Sequence, residues 1–121
     1  VTRADALTEW GRRAVVCPRF RWAPGMLAIV PPANNGATGY FQRIAEGSGP
    51  VNSDRAFPDL ADPATLGALL GLVREAEGDP SLFAECHPIG ARWQIHSIDG
   101  GIFGEGETEA AALVAALQGG E

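Results

Sequence analysis

Asp62-Pro63-Ala64-Thr65-Leu66-Gly67-Ala68-Leu69-Leu70-Gly71-Leu72-Val73-Arg74-Glu75-Ala76-Glu77-Gly78-Asp79-Pro80 reads as a complete helix with both ends marked. Asp62 stands where an N-cap oxygen accepts from the early amides, and Pro63 takes the first helical position, where a missing N–H costs nothing. Leu66, Leu69, Leu70, Val73 and Ala76 recur at helical spacing and make one broad apolar face. Gly78 supplies a left-handed cap, and Pro80 forbids continuation. A helix with such a face must lie on something, and its flanks say what.

Downstream the period changes from helical to alternating. Ser81 to His87 sets Leu82, Ala84 and Cys86 against Phe83, Glu85 and His87. Pro88-Ile89-Gly90 turns the chain, and Ala91 to Ile98 alternates again, with Trp93 and Ile95 opposite Arg92, Gln94 and His96. Asp99-Gly100-Gly101 is a second turn and Ile102-Phe103 a brief strand. Thr108 then caps a last helix to about Gln118, with Leu113, Val114 and Leu117 inward and Gly119 at its end.

Upstream, Arg3 to Val15 predicts a helix with Thr2 and Asp5 as an approximate capping box and a Leu7, Trp10, Ala14 stripe. Gly11 weakens its middle by about 1 kcal/mol relative to Ala, so packing must hold it. Pro24-Gly25 marks a type II turn before a strand from Met26 to Val30. Asn35-Gly36 is the strongest hairpin cue. Thr38 to Ala45 returns, with Tyr40, Gln42 and Ile44 on one side and Phe41 and Arg43 on the other. Residues 46–61 read as a loop packed by Val51, Phe57 and Leu60, with room for a short strand near Asp54 to Phe57. The order predicts one compact α+β domain over residues 1–121: a largely antiparallel sheet of four to five strands covered by two to three helices.

Composition agrees with a packed chain. At 121 residues and 45% hydrophobic content the core needs no metal or disulfide to hold it. The net charge is −6, all nine basic residues are Arg, and the charges are segregated. Residues 1–60 carry seven Arg against five acids; residues 61–121 carry two Arg against ten acids. An acidic half disfavours nonspecific nucleic-acid and membrane-surface binding and suits a basic protein partner. Two well-separated cysteines, Cys17 and Cys86, and no apolar leader predict a reduced cytoplasmic protein with both thiols partly buried.

No residue pattern marks a reaction. Gly101-x-x-Gly104-x-Gly106 reverses the dinucleotide fingerprint, and no Lys-Ser/Thr comes after it for a P-loop. Cys17, Cys86, His87 and His96 lack metal-ligand spacing. His96 and Asp99 are in reach of each other across a turn, with no nucleophile marked beside them. Catalytic, cofactor and metal residues are therefore all expected to be absent. Two binding surfaces remain. One is acidic: Glu75, Glu77 and Asp79 with Glu105, Glu107 and Glu109. The other is basic and aromatic: Arg12, Arg13, Arg19 and Arg21 with Trp22, a set able to stack on bases or grip carboxylates. Pairing of these arginines with the acidic half is the simpler expectation.

Four segments together carry a resemblance: Gly11-Arg12-Arg13-Ala14-Val15; Trp22-Ala23-Pro24-Gly25-Met26; Pro58-Asp59-Leu60-Ala61-Asp62-Pro63-Ala64-Thr65-Leu66-Gly67 running into Leu72-Val73-Arg74-Glu75-Ala76; and Gly106-Glu107-Thr108-Glu109-Ala110 leading to Leu117. The chain resembles a family of small uncharacterised proteins of tailed bacteriophages and prophages, outside residues 28–56. Where that family has an aromatic, this chain has Glu77. The resemblance implies a phage-borne accessory role in the host cytoplasm and carries over no catalytic residue. The expectation is a protein-binding factor, of the kind that inhibits a host defence complex as anti-CRISPR proteins do. A phage assembly component and a nucleic-acid binder using the arginine patch are the alternatives.

Overall fold

The computed structural model describes residues 3–32, 36, 38–51, 54–90 and 92–119. Among the described residues three helices and six strands run in the order α1 (Arg3–Val15), β1 (Leu27–Val30), β2 (Tyr40–Arg43), β3 (Phe57–Pro58), α2 (Pro63–Glu77), β4 (Phe83–His87), β5 (Arg92–His96), β6 (Ile102–Gly106) and α3 (Glu109–Leu117). All pairings are antiparallel, as the turn spacing requires. The strands divide into two sheets, β2-β1-β3 and β4-β5-β6, instead of one. The chain between Arg43 and Phe57 returns to the first sheet, so the second must be built from strands C-terminal to α2.

α2 forms as its end signals dictate. Asp62 accepts from the Thr65 amide at 3.0 Å, Pro63 opens the helix, and Gly78 at φ 68 closes it in the left-handed region. Leu69, Leu72 and Val73 are buried on α3, with Leu66 and Leu70 half-buried. Ala76, expected on the apolar face, is exposed, because the last turn carries it past that contact. At the turn after Ala23 the Met26 amide donates to the Ala23 carbonyl at 3.2 Å, and Gly25 takes φ 93, as a type II turn demands. Thr2 of the expected capping box, Asn35 of the hairpin cue and Ala91 lie outside the described residues.

α3 departs most from expectation. It is buried nearly all round, including Ala110, Ala111, Ala112 and Ala116 as well as Leu113, Val114 and Leu117. The helix is wedged between the second sheet and helices α1 and α2. Small alanines on the sheet side and large residues elsewhere make that fit. The glycines before it complete it. A Cβ on Gly104 would meet the carbonyl oxygen of Ala112 and lie 2.7 Å from the Ala116 amide nitrogen; one on Gly106 would lie 2.6 Å from the Ala111 Cβ. Gly11 serves α1 likewise: a Cβ there would stand 2.7 Å from the Pro58 carbonyl oxygen. Its low helix propensity is the cost of bringing α1 onto β3.

Residues 46–61 do hold a strand, β3, and they bury Phe57 and Leu60, but Val51 is 76% exposed. Cys17 is buried, its thiol donating to the Arg13 carbonyl at 3.3 Å, and burial pushes its pKa up. Cys86, expected to be partly buried, is exposed: it sits on edge strand β4, while α3 lies mainly over β6 and β5.

A polar clamp ties the first sheet to α2. Thr65 is fully buried; its hydroxyl accepts from the Leu27 amide and donates to Asp62, both at 2.8 Å. Arg43 on β2 closes on Asp62 at 2.7 Å. The Arg43 hydrogen bond foremost, helped by the Thr65 hydroxyl and amide, outweighs partial burial and holds the Asp62 carboxyl below its ordinary value near 3.8. A carboxyl lowered by folding contributes stability that is present above its unfolded pKa and lost as pH falls through the folded one. Acid unfolding should therefore steepen below about pH 4. In Asp62→Asn the variant's deficit, measured by urea melts, should be full at pH 6 and shrink toward pH 2; a deficit constant with pH would refute the charge assignment.

Candidate functional site: an acidic-rimmed groove

The structure brings the two predicted surfaces together. Arg19 pairs with Glu77 and also approaches the Ala116 carbonyl at 3.4 Å. Arg21 grips Glu75 with both terminal guanidinium nitrogens, Nη2 at 2.9 Å, and holds that carboxyl below the usual carboxylate range. Arg13 bridges to Glu9 at 2.9 Å and lies over the Trp10 ring at 4.7 Å; Arg12 lies over Phe57 at 4.7 Å. Trp22 packs edge-on against Phe20, ring centroids 5.2 Å apart, with both rings half-buried against the core. Asp79 accepts from the Ser81 amide and hydroxyl at 2.9 and 2.6 Å. The basic patch and half of the acidic set thus spend their polarity on each other and on turns.

His96 and Asp99 do not meet. His96 Nε2 lies 2.7 Å from Glu85 across β4 and β5, beside the Phe83 ring, because cross-strand register places it there. Asp99 instead accepts from the Ser97 hydroxyl within its own turn. No group of three His, Cys, Asp or Glu among the described residues is placed to hold a metal ion.

The acids beyond β5 behave differently. Glu105 points to the solvent face of the second sheet, where Gln94 donates to it at 2.8 Å. Glu107 and Glu109 flank the start of α3. Among the described residues no Arg or His lies at ion-pair distance from any of these three. Glu109 complements the positive end of α3, and Thr108 caps it by accepting from the Ala111 amide at 3.0 Å.

Glu107 and Glu109 also rim a groove of about 610 Å3. Its wall on one side is α1, through Leu7 and Trp10; its floor includes Leu60 and Leu66; its far side is Trp93 and the first turn of α3, with Arg92 on the rim. The groove exists because α3 packs close against Gly104 and Gly106 of β6, while α1 is drawn aside onto β3. Beside it a smaller hollow of about 180 Å3 shares Leu7 and Leu60 and runs toward Ile29 and the exposed Phe41. A hollow of this size with largely apolar walls is a candidate binding site. Leu7 and Trp10 were legible as core stripe and Trp93 as an inward strand residue. Their meeting in one groove was not, because nothing local links residues so remote in the chain.

Among the described residues no helix is long and apolar enough to cross a membrane. No family model matches the chain, and no curated protein and no solved structure matches it.

Proposed function

We propose that this chain is a non-enzymatic binding protein of phage or prophage origin that engages a basic protein surface through the acids around the groove. The supporting observation is the fate of the arginines. Arg13, Arg19, Arg21 and Arg43 are each paired with a carboxylate, so the net charge of −6 is expressed where no cation answers it. Glu105, Glu107 and Glu109 are such a place, and two of them adjoin the groove. Complementary charge speeds encounter and excludes wrong partners, while apolar contact supplies affinity. The same pairing partly neutralises the arginine patch that nucleic-acid binding would use. Within the host cytoplasm, a defence complex with a basic nucleic-acid channel is the class of partner that this surface suits.

Capture from a lysate of the host bacterium tests the reading. The protein should retain a stoichiometric partner that elutes as salt is raised. The Glu105→Arg, Glu107→Arg and Glu109→Arg triple variant should lose that partner, while Glu75→Gln, whose carboxylate is already engaged by Arg21, should retain it. Recovery of no stoichiometric partner, or retention by the folded triple variant, would defeat the proposal.

A further inference from the structure

We infer that the groove seats a cationic side chain, an arginine or lysine projecting from the basic segment of the partner; this rests on the function just proposed and names what the site reads. Two of the chain's three tryptophans, Trp10 and Trp93, line the groove, and Glu107 and Glu109 stand on its rim without a cation at ion-pair distance among the described residues. An indole face carries negative quadrupole density and attracts a guanidinium or ammonium group, most strongly where water is partly excluded. Trp10 already displays this property, with the Arg13 guanidinium 4.7 Å from its ring. Leu7, Leu60 and Leu66 offer an apolar lining for the aliphatic stem of such a side chain.

The groove's remaining features set the sign of the ligand. An anion attracted by the start of α3 would face Glu107 and Glu109 at close range. Arg92 is the opposing element: it shares the rim, is exposed, and has no carboxylate at ion-pair distance among the described residues. It repels a bound cation, so its removal should strengthen binding. That gives the seat a signature that general stickiness of an apolar hollow does not have.

Titration of acetyl-Leu-Arg-Leu-amide into isotope-labelled protein, monitored through the indole Nε1–H signals, tests the assignment. Trp10 and Trp93 should shift saturably and Trp22, which lies outside the groove, should not. The citrulline peptide of the same shape should leave all three unmoved. Glu107→Gln with Glu109→Gln should weaken binding about fivefold, and Arg92→Ala should tighten it about twofold. The Trp22 signal confirms that each variant is folded. Equal shifts with citrulline, movement of Trp22 alone, or concentration-dependent self-association that alone perturbs Trp10 and Trp93 would overturn the seat. Peptide binding without lysate capture would remove the partner reading and leave the seat standing. Capture lost on charge reversal, with no peptide binding, would remove the seat alone.

Discussion

Gly104→Ala is expected to lower the thermal midpoint by about 10–15 °C, which corresponds to roughly 3 kcal/mol for a chain of this size. The added methyl has no vacant space. It would press on the carbonyl oxygen of Ala112 and sit 2.7 Å from the Ala116 amide nitrogen, and these are backbone atoms of a buried helix that cannot rotate away. Relief requires α3 to lift from β6, which loosens its packing on α1 and α2 as well. The opposite sign is expected at Gly71, on the exposed face of α2, where a Cβ would meet nothing within 4 Å. Gly71→Ala should stabilise by about 0.5–1 kcal/mol, because alanine restricts the unfolded chain and favours helix. Thermal unfolding by circular dichroism measures both; equal effects at the two glycines would show that close approach of α3 to β6 is not what Gly104 provides.

Thr65→Val is expected to cost about 2–3 kcal/mol in urea unfolding, although the two side chains have nearly the same shape. The hydroxyl is fully buried and works in both directions, accepting from the Leu27 amide and donating to Asp62. Valine leaves the Leu27 N–H without its partner and takes one donor from the Asp62 carboxylate. Thr65→Ser, which keeps the hydroxyl and loses only a methyl, should retain more stability than Thr65→Val. The reverse order would mean that packing, not the hydrogen bonds, fixes α2 against β1.

Much of the architecture was legible because its causes are local. The ends of α2 arise from Asp62, Pro63 and Gly78, each acting on amides or carbonyls within a few residues. Thr108 caps α3 in the same way, and the turn at Gly25 comes from two adjacent residues. The alternation over residues 81–98 set Leu82, just before β4, and Ile95 on β5 apart from the polar positions, and both are buried. It failed for Cys86, since alternation states which side a residue faces but not whether anything covers that side. For α3, a run of small residues gave little amphipathic contrast, so its burial on every face could not be read from period alone.

Of the candidate site, the charges were visible and their partners were not. The surplus of acids after residue 60 and the arginines before it are properties of the chain. Which carboxylates those arginines neutralise over long range depends on the placement of elements apart in sequence, and it came out as Asp62, Glu75 and Glu77, with Glu107 and Glu109 left open.

By itself the sequence determined the helices, the strand pairs joined by short turns and the net charge, because capping, turn conformation and side-chain period act over only a few bonds. The tertiary structure alone decided that the strands form two sheets, that Gly104 and Gly106 admit α3, and that Trp10 and Trp93 face one groove. Those outcomes are contacts between surfaces, and a contact is specified only when both surfaces have been folded and brought together.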